Sequence, residues 1–201
     1  MTKLYLPVPG KHLVERARLV AKLERCLEPG CRLCLVSAGA GFGKTSLISA
    51  WAANAKAANV AIAWLSIDPG DNDPVIFWTY AIAAIQAQRA GIGENALGLL
   101  AASTAQAADL ESALASLINE LSQLTQPALL ILDDYHLIRN QAIHQSLAFF
   151  IDHQPHHMHV LIASRPDPPL PLERRSPSNR PRIPAATHSR RAAGRAEGKS
   201  T

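Results

Sequence analysis

The 201-residue sequence lacks several features that mark particular classes of protein. No apolar run reaches the ~18 residues that a membrane-spanning helix needs, and the amino terminus lacks the charged-then-apolar pattern of a secretory signal. We therefore expect a soluble, cytoplasmic chain without membrane contact. Only 18% of the residues are charged and 48% are hydrophobic, which excludes wholesale disorder and suits one ordinary domain.

Positive charge is scarce in most of the chain, although the formal net charge is +4. Residues 1–173 hold 12 Lys and Arg against 15 Asp and Glu, whereas residues 174–201 hold eight basic residues and one Glu. The folded part therefore gives no electrostatic reason to bind DNA directly. The proline- and arginine-rich end has too few apolar side chains to offset its ordering entropy, so we expect a disordered basic tail. A basic arm that contacts nucleic acid is the alternative.

Cysteine is also scarce, with three residues at Cys26, Cys31 and Cys34. An odd number in a chain expected to be cytoplasmic argues against a disulfide framework. Cys31 and Cys34 have CxxC spacing, but a zinc site needs a second ligand pair, and none is placed to help. We expect buried thiols rather than a metal site. We also expect solvent-exposed loop positions for four histidines that invite a metal interpretation: His153, His156, His157 and His159.

Strand patterns alternate with helix patterns along the chain. Four short apolar runs predict strands buried on both faces, at 33–37, 60–67, 128–132 and 159–163. Helical patterns occupy 14–27, 44–56, a segment that begins at Pro74 after an Asp73 N-cap, and about 94–103, 109–124 and 141–152. This alternation indicates an α/β fold in three layers, with helices on both faces of a mostly parallel sheet. We expect Trp51, Trp64 and Trp78 to lie in its core.

The strongest motif is Ala38-Gly-Ala-Gly-Phe-Gly-Lys-Thr45, between the first strand and a helix. It fits the P-loop pattern G-x-x-x-x-G-K-[ST] with Ala38 in the first place. Backbone N–H groups and the helix N-terminus can bind phosphate, while Lys44 can reach the β- and γ-phosphates and Thr45 can hold Mg²⁺. We predict ATP as the ligand, because the N-K-x-D segment typical of guanine specificity is absent. The predicted nucleotide-binding residues are Gly39, Ala40, Gly41, Phe42, Gly43, Lys44, Thr45 and Ser46.

Two later strands end in polar residues that would meet the P-loop at the same edge of the sheet. Leu129-Leu-Ile-Leu is followed by Asp133 and Asp134, a Walker B pattern in which Asp133 would hold Mg²⁺ with Thr45 and Asp134 would orient or deprotonate the attacking water. Asp134 as a helix cap is the alternative. Arg165 follows the fourth strand and could sense the γ-phosphate, or it is a surface arginine. The predicted catalytic residues are therefore Lys44, Asp134 and Arg165.

Six segments in order resemble the nucleotide-binding module of the MalT-like, LuxR-type ATP-dependent transcriptional regulators, which belong to the STAND class of signal-transduction ATPases. They are KLYLPVPGKHLVERARLVAKLE, LVSAGAGFGKTSLISAWAA, IAWLSIDPGDNDPVIFWTYAIAAI, LLILDDYHLI, HQSLAFFIDHQP and VLIASRPDPPLPL, within about residues 3–172. The resemblance implies a module that binds ATP and self-associates. It also implies that Lys44 and Thr45 form the Walker A pair, Asp133 and Asp134 form the Walker B pair, Arg165 is a sensor, and residues 14–16 lie near the adenine.

The sequence departs from this family at Gly39, where proline is usual and glycine is expected to loosen the loop, and at Ser46, where threonine is common. We expect an N-terminal extension with a helix (1–30), a P-loop core (31–172) and the basic tail (173–201), with the family's sensor and DNA-binding domains absent. Without the family's next strand, Leu33 to Val36 would form an exposed sheet edge that is prone to aggregation.

The predicted function is therefore an ATP-binding, slowly hydrolysing switch module, present as an N-terminal fragment of a transcriptional regulator. Two alternatives remain open at this point. The first is a non-functional remnant with no turnover, and the second is a self-standing small P-loop enzyme such as a kinase.

Overall fold

The computed structural model describes residues 2–8, 16–102, 107–171 and 182–184. Its strands are β1 (Leu33–Ser37), β2 (Ala61–Ser66), β3 (Ala128–Asp133), β4 (Met158–Ser164) and β5 (Arg182–Pro184). Its helices are α1 (Ala17–Glu24), α2 (Lys44–Ala57), α3 (Pro74–Gln86), α4 (Glu94–Ala102), α5 (Ala107–Ser122) and α6 (Gln141–His153). Short 3₁₀ turns lie at Thr2–Leu4, Arg25–Leu27, Pro69–Asp71 and Tyr135–Leu137. No helix in these ranges is long and apolar enough to cross a membrane.

The five strands form one sheet in the order β2-β3-β4-β1-β5, and each neighbouring pair is parallel. Because all described strands run in the same direction, the loops that follow β1, β3 and β4 leave the sheet at one edge. Leu35 of β1 lies opposite Ile162 of β4, which fixes the register beside the glycine-rich loop. The predicted α/β class with a mostly parallel sheet is confirmed.

Side chains alternate between the two faces of the sheet and form two apolar clusters. In β4, Val160 and Ile162 join a cluster with helices α3 to α6, whereas Leu161 and Ala163 join a second cluster with α1 and α2. The sheet is therefore covered on both faces, which explains why its strands read as continuous apolar runs. The core positions predicted for the three tryptophans are confirmed, since each is at most 3% exposed: Trp51, Trp64 and Trp78.

Strand β5 corrects the expectation of an exposed sheet edge at β1. Val36 pairs with Ile183, and the Ile183 side chain is only 1% exposed within the cluster that contains α1 and α2. The expectation of disorder is likewise wrong for residues 182–184, because pairing with β1 supplies hydrogen bonds and burial that the segment lacks by itself. The rest of the predicted 173–201 tail lies outside the described residues.

Ile183→Ala should lower the free energy of unfolding by about 2 kcal/mol, because it removes a buried aliphatic side chain from the contact between β5 and the core. Urea denaturation followed by circular dichroism measures this change. Ile76→Ala is the matched control, because Ile76 is 43% exposed on α3 and should change stability by no more than about 0.5 kcal/mol. Equal effects of the two substitutions would show that β5 does not contribute to the fold.

The cysteine expectation is wrong for two of the three residues. Cys26, in the 3₁₀ turn after α1, forms a disulfide with Cys34 of β1, and their Cα atoms are 5.6 Å apart. The pairing depends on α1 folding back over the sheet, which cysteine spacing does not reveal. Cys31 is a buried free thiol, as expected, and burial raises its pKa to about 11. Within the described ranges, no group of three or more His, Cys, Asp and Glu residues is placed to hold a metal ion.

The expected solvent exposure is found for His153 and His156, although His153 is the last residue of α6 rather than a loop residue, while His157 is partly buried. The expectation is wrong for His159, which is 3% exposed in β4 and donates from Nδ1 to the carbonyl oxygen of Cys31 at 2.6 Å. Residue 159 was also the first residue of the expected fourth strand, and because β4 begins at Met158, the histidine lies within the strand rather than in the loop before it. Burial lowers the pKa of His159 below its usual range.

Candidate functional site

The glycine-rich loop connects β1 to α2 through backbone conformations that most residues avoid. Gly41 has φ of +77° and Gly43, the N-cap of α2, has φ of +71°. A side chain at either position would be strained, because these angles lie in the left-handed region. At Gly39, an added Cβ would approach the Phe42 ring to 3.0 Å. The ring therefore packs against the position where the resembling family usually has proline.

Lys44 begins α2 and directs its ammonium group back into the loop. Its Nζ donates to the carbonyl oxygens of Ala38 at 2.8 Å and Gly39 at 3.0 Å, and the residue is only 8% exposed. Ala40 and Gly41 at the tip of the loop are exposed, as is Ser46 in the first turn of α2. The loop thus holds one buried cation beside exposed backbone at the start of a helix, an arrangement suited to binding an anion.

Thr45 and Asp133 are in direct contact, although β4 lies between β1 and β3 in the sheet. The Thr45 hydroxyl donates to Asp133 Oδ2 at 2.7 Å, and the backbone N–H of Asp134 donates to Asp133 Oδ1 at 3.0 Å. Asp133 is 3% exposed. Burial raises the pKa of its carboxyl group, and the hydrogen bond from Thr45 opposes that rise. The structure therefore brings the two residues predicted to hold Mg²⁺ together.

Asp134 differs from Asp133 in both conformation and exposure. Its backbone is left-handed, with φ of +57°, and its side chain is 46% exposed. The side chain forms no capping hydrogen bond to the 3₁₀ turn that follows, so the helix-cap alternative is not supported. The strained conformation turns the side chain toward solvent at the edge of the sheet where the P-loop lies.

Arg165 follows β4 and has an exposed side chain. Its backbone is held beside the P-loop strand, because the Ser37 hydroxyl donates to its carbonyl oxygen at 3.1 Å. In the preceding residue, the carbonyl oxygen of Ser164 accepts from Ala38 N at 3.3 Å. The end of β4 is therefore attached to the start of the loop.

The sequence did not predict the positions of two residues at this site, Arg16 and His136. The guanidinium group of Arg16 donates to the Phe42 carbonyl oxygen at 3.0 Å, and one of its nitrogens lies 3.9 Å from where a Cβ would be on Gly43. Residue 16 was expected near the base of the nucleotide, whereas its charge lies against the loop backbone. Residues 14 and 15 of the same stretch lie outside the described residues.

The second residue is His136, within the 3₁₀ turn after Asp134. Its Nδ1 lies 3.7 Å from Asp134 Oδ1. Burial lowers the pKa of its imidazole, and the charges of Arg165, Asp134, Lys44 and Asp133 all act on it. His136 therefore lies beside Asp134, within electrostatic range of the other charged residues predicted for the site. The sequence did offer a signal for this residue, because His136 is titratable and lies two positions after Asp134, the second acid of the pair.

Comparison with known proteins decides the family. The family model described as "AAA ATPase domain" matches residues 12–163. The chain belongs to the AAA ATPase domain family. This AAA ATPase domain is 44% identical over 169 residues to the HTH-type transcriptional regulator MalT of Cronobacter sakazakii (strain ATCC BAA-894). The match covers 84% of the chain and 18% of that regulator, so the domain spans less than a fifth of its relative's length.

A solved Walker-type ATPase of Pyrococcus abyssi is also similar to this AAA ATPase domain, with 15% sequence identity and a TM-score of 0.46. That match covers 78% of this chain and 46% of the other. The resemblance to the nucleotide-binding module of MalT-like regulators is confirmed by the family match and by the identity to MalT. Membership of an ATPase family implies that the domain binds a nucleotide.

Proposed function

We propose that this AAA ATPase domain binds Mg·ATP and serves as the nucleotide-dependent switch of a MalT-like transcriptional regulator. The observation that carries the proposal is the 2.7 Å hydrogen bond between Thr45 and Asp133, because it joins the P-loop helix to the acid at the end of β3. A loop that served only as a turn would need neither this contact nor a buried lysine beside it.

The phosphate chain would be held by the loop and its cations. The Lys44 ammonium already lies among the loop carbonyls, from which it can turn to phosphate oxygens, and backbone N–H groups at the start of α2 favour the same anion. Arg16 adds a guanidinium beside Gly43, within reach of the same region. Three sources of positive potential thus converge on the loop, in agreement with a triphosphate ligand.

The donor set at Thr45 and Asp133 fits Mg²⁺, which prefers hydroxyl and carboxylate oxygens. The Thr45 hydroxyl directs its hydrogen toward Asp133 and so keeps lone pairs free for a cation. Thr45 and Asp133 would hold the Mg²⁺, which would supply positive charge to offset the negative charge of the phosphates. Asp133 remains in place because the Asp134 N–H holds its second oxygen.

Slow hydrolysis would use the exposed carboxylate of Asp134. Asp134 would orient a water whose oxygen bonds to the γ-phosphorus as the bond to the ADP oxygen breaks. The electron pair leaves with ADP, and the carboxylate takes the water proton. Arg165 would balance the charge that develops on the phosphate oxygens. In a switch, the difference between bound ATP and ADP matters more than the rate of turnover.

Two further parts of the proposal concern partners. By its resemblance to MalT-like regulators, the domain would self-associate when ATP is bound, which sedimentation with and without Mg·ATP measures. The folded part would not contact DNA directly, because the charge excess lies beyond residue 173.

Isothermal titration calorimetry tests the binding proposal and the role of Asp133. The wild-type domain should bind ATP more tightly with Mg²⁺ than with excess chelator. Asp133→Asn should lose most of this Mg²⁺-dependent gain, roughly tenfold in affinity for one carboxylate ligand. The affinity of Asp133→Asn for ATP in excess chelator should equal that of the wild-type domain.

Asp152→Asn is the control for this experiment, because Asp152 lies in the last turn of α6, where its carbonyl oxygen accepts from Arg32 just before β1, at the opposite edge of the sheet. It should keep the full Mg²⁺ dependence. A folded wild-type domain that binds no ATP would refute the proposed function and favour a non-functional remnant. An unchanged Mg²⁺ dependence in Asp133→Asn would refute the assignment of the metal ligand.

A further inference from the structure

His136, beside Asp134, carries a buried side-chain nitrogen without a hydrogen-bond partner. Among the described residues, its Nδ1 is one of few buried side-chain nitrogen or oxygen atoms without a hydrogen bond, and the side chain is only 11% exposed. A buried polar atom without a partner destabilises a fold by about 1–3 kcal/mol. Such an atom within a functional site therefore indicates a hydrogen bond that forms when ligand is bound or during the reaction.

The available acceptor is Asp134. Its Oδ1 lies 3.7 Å from His136 Nδ1, so an approach of about half an ångström reaches hydrogen-bonding distance. Lys44 and Arg165 also act on the ring electrostatically, but cations cannot accept a hydrogen bond. The carboxylate of Asp133 is already engaged by Thr45 and by the Asp134 N–H.

The residues on either side of His136 are hydrogen-bonded to the rest of the fold, whereas the Asp134 side chain is half-exposed and forms no capping hydrogen bond. The Tyr135 hydroxyl meets His144 Nδ1 at 2.9 Å within the core, and Asn72 donates to the Leu137 carbonyl oxygen at 2.9 Å. These contacts fix the residues on either side of His136. The half-exposed carboxylate of Asp134 is therefore the part that would move to close the gap.

We propose that His136 is a positioning residue that donates a hydrogen bond from Nδ1 to Asp134 and so directs the other carboxylate oxygen toward the attacking water. This inference rests on the proposed function, because it concerns the same hydrolytic step. His136 itself contacts neither the water nor the phosphate in this arrangement. It fixes the carboxylate, and the carboxylate orients the water.

The tautomer of His136 gives a readout that needs no nucleotide. In the ¹⁵N spectrum of the free domain, His136 should be the Nδ1–H tautomer, since a carboxylate beside Nδ1 favours a proton there. Asp134→Ala should shift the ring toward the Nε2–H tautomer. An Nε2–H ring in the wild-type domain, or a tautomer that is the same in both proteins, would overturn the proposal.

Two measurements on each variant distinguish a positioning role of His136 from a structural role. They are the single-turnover rate of ATP hydrolysis and the dissociation constant for Mg·ATP. His136→Leu should lower the rate at least about tenfold while binding stays within about threefold, since positioning acts on the chemical step. His136→Asn should retain most of the rate, because its amide N–H can occupy the position of Nδ1. His136→Gln is the matched control, because its amide reaches the position of Nε2 and should fail like leucine.

Each outcome of the kinetic experiment decides a separate point. Equal rates in the wild-type domain and His136→Leu, or equal losses in the asparagine and glutamine variants, would overturn the inference. A parallel loss of binding and rate would also do so, because it would show a structural role. A wild-type domain that binds Mg·ATP without hydrolysing it would refute the positioning role and leave the binding proposal standing, whereas absence of binding would refute the proposed function itself.

Discussion

Lys44→Ala is expected to raise the dissociation constant for Mg·ATP about 100-fold, the equivalent of ~2.7 kcal/mol. The expected loss is large because the Lys44 ammonium is buried in the loop and, once turned to a ligand, would form charge-assisted hydrogen bonds to phosphate oxygens. Titration calorimetry measures the binding. The thermal stabilisation that Mg·ATP gives the wild-type domain should disappear in parallel, because ligand-induced stabilisation depends on affinity.

Lys56→Ala is the control for this prediction, because Lys56 lies on the same helix but is exposed in its last turn. It should bind Mg·ATP as tightly as the wild-type domain. Circular dichroism would show whether Lys44→Ala is folded, and Lys44→Met, which keeps most of the aliphatic chain, serves if the alanine variant is not. Wild-type affinity in a folded Lys44 variant would remove the basis for assigning the loop as a phosphate site.

Trp78→Ala is expected to lower the free energy of unfolding by about 3–5 kcal/mol, which is a large fraction of a small domain's stability. Trp78 is fully buried on α3, with its ring 5.3 Å from Phe77 and 5.4 Å from Phe150 of α6. Its indole N–H donates to the Ser146 hydroxyl at 2.9 Å. The substitution would therefore leave a cavity between two helices that cover one face of the sheet, and the Ser146 hydroxyl would keep only its hydrogen bond to the Ile143 carbonyl oxygen.

Urea denaturation of two comparison variants separates these contributions. Trp78→Phe keeps an aromatic ring but loses the N–H donor, so it should cost about 1–3 kcal/mol. Tyr5→Ala removes an aromatic side chain that is 71% exposed and should cost no more than about 0.5 kcal/mol. If Trp78→Ala were as mild as Tyr5→Ala, the packing of α3 against α6 would have to be wrong.

Local patterns predicted much of the fold because the corresponding interactions are local. The Asp73-Pro74 pair predicted the start of α3, and Asp73 Oδ1 accepts hydrogen bonds from Val75 N and Ile76 N. The glycines of the P-loop predicted its sharp turns, which adopt positive φ at Gly41 and Gly43. Continuous apolar runs predicted strands buried on both faces, and the two apolar clusters account for them.

The remaining features depend on contacts between distant segments. Strand β5 has three residues, and its single large aliphatic side chain gave no strand pattern until β1 was available as a partner. The Cys26–Cys34 disulfide and the burial of His159 likewise depend on how elements pack. For the site, the sequence predicted which residues carry charge. It also predicted that Thr45 and Asp133 would lie at the same edge of the sheet, but it did not predict the direct hydrogen bond between them or the position of His136 beside Asp134.

The hydrogen bond from Arg16 to Phe42 has a mechanical consequence. Arg16 is the residue from which α1 begins, and it reaches across 26 positions of chain to a carbonyl at the bend of the loop. Any change in the path of the backbone at Phe42 must stretch or release this tether. The hydrogen bond therefore couples the start of α1 to the conformation of the loop. A movement of the loop backbone at Phe42 would move Arg16 or break this bond.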